Sequence, residues 1–318
     1  MKSDNSIITI GLAPAWDIVC YGDGLDWGRH STVESSSFEV AGKALNISKA
    51  LAWMGQSNVA AGLWGEDDYD QMLVSLRALS RKIKVKLTAV PGYTRRNITV
   101  VDTRKGRDMH LRSRNELVSK KAIAKLDKDL TAIVGRGDVC VFAGALPEGR
   151  LLGDIVRMIK SCKGRGATIM LDTSGPALKK LVNTGVVRLI KPNVEELREL
   201  LGRRVNDRPD SLAKAARELL DRVEIVLISR GPKGVVLVTK EGSWQGRCMG
   251  TVKTFSTVGC GDFLLAGFLS GVNNKPNFPR LLETAVKIAT AKAGGRMEGK
   301  TWPQVRRQIK VVVSSVRV

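Results

Sequence analysis

The sequence predicts an α/β protein of three layers, in which helices cover both faces of a mostly parallel β-sheet, with a small β-sheet beside it as a lid. Short runs of Val, Ile and Leu alternate with segments whose apolar residues recur at i, i+3 and i+4, a pattern typical of parallel strands joined by helices. Two segments, about 13–40 and 88–114, break this alternation, and the second carries strand-like pieces around the turn Lys105-Gly106. Because no linker, repeat or low-complexity tract divides the chain, we expect residues 1–318 to form a single domain with these two segments inserted as lid strands.

The individual elements follow from local patterns along the chain. Runs of β-branched and other apolar residues predict the main-sheet strands Ile7–Ile10, Asn58–Ala61, Asp138–Phe142, Thr168–Leu171, Val187–Ile190, Ile225–Ile228 and Val235–Val238. Helical spacing of apolar residues predicts the helices Leu45–Trp53, Asp70–Leu79, Leu151–Ile159, Glu195–Leu201 and Leu212–Leu220. The pieces expected in the lid are Asn97–Val101 and Asp108–Leu111.

The composition excludes several classes of protein. A chain of 318 residues with 43% hydrophobic content can bury a large core, and no apolar run approaches the roughly 18–20 residues of a membrane span. The first apolar stretch, Ile7–Ile10, is too short for the core of a signal peptide, so we expect a cytoplasmic protein without a membrane partner. Five cysteines without a C-x-x-C pair, together with only two histidines, argue against a disulfide framework and a zinc site.

The net charge of +21 is concentrated in one part of the sequence. Between Arg77 and Lys125, fifteen Lys and Arg residues stand against three acids, which supplies +12 of the total. Such a segment can be a solvated basic surface, a region that attracts phosphorylated ligands, or a nucleic-acid surface. Tyr93 is its only aromatic residue, whereas binding of single strands relies on stacked aromatic rings, so we expect no nucleic-acid partner.

The strongest local signal is the segment Ser256–Asp262, which reads S-T-V-G-C-G-D and leads into an apolar helix. A glycine-rich turn at a helix N-terminus directs several main-chain N–H groups and the positive end of the helix dipole to one place, which suits an anion. An ordinary Asp titrates at about 3.9, so Asp262 is ionised at pH 7 and can accept a hydroxyl proton beside that anion. The alternative is that Asp262 only caps the helix, a position that Asp favours.

Three motifs near the N-terminus carry side chains suited to a sugar or a phosphate: Leu12–Asp17, Ala41–Asn46 and Tyr93–Asn97. The carboxylate of Asp17 can accept from two adjacent hydroxyls, and the amide of Asn46 can both donate and accept. Guanidinium groups match phosphate oxygens, but Arg95 and Arg96 would point to opposite faces of a strand, so at most one of them meets a ligand. An ordinary turn, a helix start and surface charge are the competing explanations.

Further polar motifs follow the later predicted strands: Ala143–Gly149, Lys191–Glu196 and Ser229–Gly234. Asn193 and Glu196 share the first turn of a helix, where an amide and a carboxylate can organise hydrated Mg²⁺ or form a capping box. A lone G-x-x-G, as in Ser229–Gly234, is weak evidence by itself. The small and apolar residues of Ala285–Gly295 fit a core helix.

In this order, and over nearly the whole chain to about Gly295, these motifs resemble those of the PfkB/ribokinase family of carbohydrate kinases, especially its phosphofructokinase and tagatose-phosphate kinase branch. The resemblance implies a ribokinase-like fold and transfer of a phosphoryl group from ATP, with Mg²⁺, to a hydroxyl of a sugar or, preferably, a sugar phosphate. It also implies a homodimer formed through the lid, and an adenine pocket lined by Ala285–Gly295, a segment that a core helix explains equally well. Asp262 would be the catalytic base. The other implied roles are an anion hole at Gly259, Cys260 and Gly261; substrate binding by Asp17, Gly42, Lys43, Asn46, Arg95 and Asn97; nucleotide binding by Lys191, Asn193, Ser229, Gly231 and Gly234; and Mg²⁺ binding through water by Glu196.

Four positions depart from the family pattern. Cys260 replaces a usual Ala and keeps the main-chain N–H, and Ala44 replaces a common Gly. Ala143 and Ala145 stand where the family has two serines, which removes hydroxyls whose hydrogen bonds are typically worth about 0.5–1.5 kcal/mol each. The sequence therefore leaves the sugar open, and a catalytically weak sensor of sugar phosphates or nucleotides is the alternative function.

Overall fold

The computed structural model describes residues 5–272 and 276–317. The strands within these ranges are β1 (Ile7–Gly11), β2 (Ala15–Gly22), β3 (Ser35–Ala41), β4 (Asn58–Gly65), β5 (Ile83–Val90), β6 (Arg96–Asp102), β7 (Arg107–Arg112), β8 (Val139–Ala143), β9 (Thr168–Asp172), β10 (Val187–Ile190), β11 (Ile225–Ser229), β12 (Val235–Thr239), β13 (Gly242–Cys248) and β14 (Val311–Ser315). The α-helices are α1 (Lys43–Trp53), α2 (Tyr69–Leu79), α3 (Lys120–Ile133), α4 (Arg150–Gly164), α5 (Gly175–Val182), α6 (Val194–Leu201), α7 (Pro209–Arg217), α8 (Cys260–Leu269), α9 (Phe278–Ala293) and α10 (Trp302–Gln308). Across the described residues, none of these helices has the length and apolar character needed to cross a membrane.

Ten of the described strands form one large sheet in the order β14-β13-β12-β11-β10-β9-β8-β1-β4-β5. The strands from β5 to β11 in this order are parallel, and β12, β13 and β14 continue the sheet as antiparallel strands. The prediction of a mostly parallel sheet is confirmed. The carboxyl ends of β8, β9, β10 and β11 therefore lie side by side, and the loops that follow such ends are where α/β proteins place their ligands.

The large sheet is buried on both faces, as its apolar strands predict. In β1, Ile8 and Ile10 pack against one layer of helices and Ile7 packs toward the other, because successive strand residues point to opposite faces. One layer contains α3, α4, α5, α6 and α7, and the other contains α1, α8 and α9. Consequently α8, which carries Asp262, packs in the same layer as α1, which carries Asn46.

The small separate sheet is also present, with the order β3-β2-β6-β7. Its anchor is Trp16 in β2, which is 1% exposed, stacks on Phe38 and meets the edge of Trp64 in β4. The indole Nε1 of Trp16 donates to Asp68 Oδ2 at 2.7 Å, so its polar atom is satisfied where it is buried. These contacts fix the lid sheet to the main body.

The structure departs from the predicted elements in several places. Residues 88–90 belong to β5 of the large sheet, so the lid part of the segment 88–114 begins later, with β6. The strand β5 was not predicted, because it lacks an apolar run. It alternates apolar residues with lysines, since it is an edge strand with one polar side. The strands β13 and β14 and the helices α3, α5 and α10 were not predicted either, and α7 ends at Arg217 rather than at Leu220.

Replacing Gly62 by Ala should destabilise the fold by about 2–5 kcal/mol. Gly62 pairs with Gly11 between β4 and β1 and has a φ of +123°, and a Cβ atom there would lie 2.0 Å from the carbonyl oxygen of Gly11. Urea unfolding followed by circular dichroism measures the loss. Gly55→Ala is the matched control, because Gly55 has a φ of +89° but nothing within 4 Å of its Cβ position. Equal losses for the two variants would contradict the steric explanation.

Candidate active site

The loops after four adjacent parallel strands form one edge of the candidate site. They bring Gly144, Asp172, Lys191 and Ser229 to the carboxyl ends of β8, β9, β10 and β11. Main-chain hydrogen bonds join neighbouring loops: Gly144 N donates to the carbonyl oxygen of Asp172 at 3.0 Å, and Ser229 N donates to that of Pro192 at 3.0 Å. The motifs that the sequence placed after separate strands are therefore neighbours in space.

The glycine turn begins α8, as the sequence predicts. Gly259 is the N-cap residue with a φ of +77°, a left-handed conformation that favours glycine. The N–H of Cys260 donates to the carbonyl oxygen of Thr257 at 3.3 Å, so this amide is already engaged. Within the described residues, the N–H groups of Gly259, Gly261 and Asp262 have no hydrogen-bond partner. Three amides at the positive end of α8 are thus available to an anion, whereas the amide of Cys260 is not.

Asp262 lies inside the first turn of α8 and is 5% exposed. Its Oδ2 accepts a hydrogen bond from Nδ2 of Asn46 in α1 at 2.8 Å. The N-cap position belongs to Gly259, and no side chain caps this helix. The alternative that Asp262 is only a helix cap is therefore wrong.

The surroundings of Asp262 change its acidity. Burial, and next the nearby negative charge of Asp172, raise the pKa of Asp262 to about 6. The hydrogen bond from Asn46 and the ammonium groups of Lys43 and Lys191 act in the opposite direction. A carboxylate with this pKa is ionised at pH 7 and is a stronger base than an ordinary Asp, which suits proton transfer.

Asp172 is a site residue that the sequence analysis missed. Its side chain is fully buried, and its Oδ1 lies 3.1 Å from Lys43 Nζ and 3.4 Å from Lys191 Nζ. Its Oδ2 is buried without a hydrogen-bond partner among the described residues. Lys191 Nζ also lies 3.2 Å from the position that a Cβ would take on Gly261, so its charge adjoins the glycine turn. The signal available in the sequence was an Asp that directly follows the apolar run of β9.

The lid residues are arranged differently from the sequence expectation. Asn97 Nδ2 donates to Asp17 Oδ1 at 2.8 Å across β6 and β2, and Asn97 Oδ1 is buried without a partner among the described residues. The guanidinium of Arg95 donates to the carbonyl oxygens of Pro14 and Ala13, at 3.1 and 3.3 Å. Arg95 is therefore engaged with the main chain in this structure, and its role toward a phosphate stays a prediction.

Gly42 allows the start of α1 to approach the segment that Arg95 holds. Gly42 is the N-cap residue of α1 with a φ of +115°. A Cβ on it would lie 3.2 Å from both the carbonyl oxygen of Ala13 and the Cα of Pro14. This close packing places Lys43 and Asn46, in the first turn of α1, beside Asp172 and Asp262.

The two loops predicted to bind nucleotide lie next to each other. Asn193 and Glu196 form a complete capping box at the start of α6, with two hydrogen bonds of 2.8 Å. Asn193 and Ser229 are also paired by an isolated parallel β-bridge. The following turn contains Gly231 and Gly234 at φ values of +56° and +96°. Asp207 stabilises this turn through two ion pairs. Its carboxylate oxygens lie 2.7 Å from Arg230 Nε and 2.6 Å from Lys233 Nζ.

Comparison with protein families matches residues 4–298 to the pfkB family carbohydrate kinases. The chain belongs to this family. It is therefore a sugar kinase, and its fold is the ribokinase-like α/β/α arrangement that the motifs implied. The match ends before α10 and β14, and β14 is the strand that extends the large sheet at its antiparallel edge.

The chain is similar to curated relatives and to a solved structure within this family. Tagatose-6-phosphate kinase of Staphylococcus epidermidis is 24% identical over 314 residues, which cover 96% of this chain and 99% of that protein. The 1-phosphofructokinase of Haemophilus influenzae is 28% identical over 275 residues, which cover 84% of each chain. The structure of phosphofructokinase-2 from Escherichia coli in complex with fructose-6-phosphate has a TM-score of 0.85 at 22% identity, over 96% of this chain and 99% of that one. At this identity the structural likeness supports the fold alone.

Proposed function

We propose that this kinase transfers the γ-phosphoryl group of ATP to a hydroxyl of a sugar phosphate. The observation that carries the proposal is the buried carboxylate of Asp262, whose Oδ2 accepts a hydrogen bond from Asn46 Nδ2 at 2.8 Å. Beside it lie three N–H groups that have no partner within the described chain. A base and an anion hole at one place are what transfer of a phosphoryl group to a hydroxyl requires, because this reaction depends on positioning and on stabilisation of charge.

In the proposed mechanism, Asp262 accepts the proton of the acceptor hydroxyl as that oxygen attacks the γ-phosphorus. The N–H groups of Gly259, Gly261 and Asp262 stabilise the negative charge on the phosphoryl oxygens. The ammonium groups of Lys43 and Lys191 add positive charge, and their common partner Asp172 positions both of them. The leaving group is ADP.

The proposed donor site lies along the loops that contain Asn193 and Ser229, with Glu196 as the residue that would hold Mg²⁺ through water. Glu196 fits this role in part: one carboxylate oxygen caps α6, its other oxygen is not in a hydrogen bond within the described residues, and its charge acts on Lys43. When bound, Mg²⁺ would neutralise charge on the phosphates of ATP.

For the acceptor, the proposed contacts are Asp17 and Asn97 Oδ1, which has no hydrogen-bond partner among the described residues; both can accept from sugar hydroxyls. The positive charge around Arg95 supports an acceptor that carries a phosphate. Burial, and next the nearby guanidinium of Arg112, lower the pKa of Arg95, so two like charges are close together there. A phosphate dianion would relieve this repulsion, whereas a free sugar would not.

A coupled ADP-release assay tests the proposal with fructose 1-phosphate, fructose 6-phosphate, tagatose 6-phosphate, fructose and ribose. We expect at least one sugar phosphate to be used with a kcat/KM about 10-fold or more above that of either free sugar, because a charge-assisted phosphate contact is worth about 1.5–3 kcal/mol. A preference for a free sugar would contradict the acceptor assignment. Tight binding of a sugar phosphate without release of ADP would instead favour the alternative, a sensor, for which Ala44, Ala143 and Ala145 are the motivating departures.

We also propose that residues 1–318 act as one kinase domain and that two lids pair to form a homodimer. The lid sheet has two free edges among the described strands, β3 and β7, and it exposes the large apolar side chains of Phe38 and Leu111. Light scattering coupled to gel filtration should give twice the chain mass of 34.6 kDa. A monomer at micromolar concentration would contradict the pairing.

A further inference from the structure

A lysine at the C-terminal end of α9 lies against the glycine turn. Lys292 is half-buried, and its Cε is 3.6 Å from the position that a Cβ would take on Gly259, the same distance as Nδ2 of Asn46. Its Nζ lies over the ring of Phe263, 5.5 Å from the ring centroid. From the sequence, Lys292 belongs to the segment Ala285–Gly295, which fits a core helix or a nucleotide pocket, and its side chain has no predicted role.

Within the described residues, the charge of Lys292 is not balanced by a carboxylate. Lys43 and Lys191 share Asp172, and Lys49 pairs with Glu39 at 3.3 Å. In contrast, no carboxylate in the described part of the chain lies within ion-pair distance of the Lys292 ammonium. The face of Phe263 attracts a cation but does not neutralise it.

An uncompensated and partly buried ammonium is costly unless a ligand supplies the opposite charge. The ammonium lies beside Gly259, in a turn suited to an anion, because the N–H groups of Gly259, Gly261 and Asp262 have no partner within the described residues. The carboxylate of Asp262 is bonded to Asn46 and does not pair with Lys292.

We propose that Lys292 is a phosphate-binding residue, whose ammonium pairs with an oxygen of a phosphoryl group seated at the Gly259 turn. The inference rests on the proposed function and deepens it, because it adds a third lysine to the two that Asp172 positions. The phosphoryl oxygen can belong to the polyphosphate of the donor or to the phosphate of the acceptor, and the two sources share the same chemistry.

The test compares Lys292→Met, which removes the charge but keeps an unbranched chain against Phe263, with Lys292→Arg, which keeps the charge. Steady-state kinetics gives the KM of ATP and the KM of the sugar phosphate separately. We expect one of them to rise by about 10- to 100-fold in Lys292→Met and to stay near its original value in Lys292→Arg. A rise for ATP assigns the contact to the donor, and a rise for the sugar phosphate assigns it to the acceptor.

A binding measurement keeps this inference separate from the proposed reaction. Calorimetric titration with inorganic tripolyphosphate requires no turnover, and we expect affinity to fall by about 10-fold or more in Lys292→Met. Lys287→Met is the matched control, since Lys287 lies on the same helix but pairs with Glu283 at 2.6 Å. Thermal unfolding of each variant monitors the fold, and Lys292→Gln repeats the test with a second neutral side chain. Affinities and KM values within about twofold of the unchanged chain in both neutral variants would overturn the proposal.

Discussion

Replacing Asp262 by Asn should lower kcat by about 10²–10⁴ while ATP still binds. The amide has nearly the shape of the carboxylate but cannot accept a proton from the acceptor hydroxyl. The three N–H groups of the glycine turn and the lysines around Asp172 are unchanged, so binding of the phosphates should persist. Because Asp262 is 5% exposed and its charge is desolvated, a neutral side chain there should not destabilise the fold strongly.

The pH dependence gives a second readout of the same residue. The pKa of Asp262 is about 6, so the group is ionised above that pH and protonated below it. The kcat/KM of the unchanged enzyme should therefore fall as the pH is lowered through about 6, and this acid limb should be absent from Asp262→Asn. Asp70→Asn, at an exposed position in α2, is the control. Near-normal turnover by Asp262→Asn would exclude Asp262 as the base.

Replacing Asp172 by Asn should reduce both stability and activity. The fully buried carboxylate is the common partner of Lys43 and Lys191, and Lys191 is itself 5% exposed. Removal of one member of a buried ion pair typically costs about 3–5 kcal/mol, because the remaining charge is left without a partner. Loss of the defined ammonium positions should lower kcat/KM by about 10- to 100-fold, since misplacement of a binding group by an ångström has an effect of this size.

A pH profile separates a positioning role for Asp172 from a purely structural one. The negative charge of Asp172 raises the pKa of Asp262, so the acid limb of kcat/KM should move to lower pH in Asp172→Asn. Asp154→Asn is the matched control, because among the described residues the ion-pair partner of Asp154 is Arg157, a largely exposed residue of the same helix, α4. An acid limb that stays in place, with stability equal to that of the control, would show that Asp172 does not act on Asp262.

The sequence predicted the central strands well because they are buried on both faces. Their apolar runs, such as Ile7–Ile10 and Ile225–Ile228, stand out from the surrounding sequence, so they can be recognised without knowing which strands they pair with. The edge strands were missed for the opposite reason. In β5 the lysines face outward, and β13 and β14 are polar or partly exposed, so their strand character depends on pairing that only the folded chain provides.

The candidate site divides in a similar way. The residue types of the glycine turn, with Asp262 at its end, are determined by local chemistry, and the family match supports the kinase assignment that rested on them. The sequence around Asp262 could not distinguish a helix cap from a catalytic base, because an Asp near the start of a helix can serve either purpose. The burial of Asp262 and its contact with Asn46, 216 positions away along the chain, decided against capping.

The sequence by itself thus determined the fold class, the order of the motifs and the chemistry at the start of α8. The tertiary structure alone decided which charges are balanced there: Asp172 joins Lys43 to Lys191, Arg95 is engaged by main-chain carbonyls, and Lys292 reaches the turn without a counter-charge in the described chain. The physical reason is that the energy of a charge depends on distance and burial, and these are set by segments far apart in the sequence.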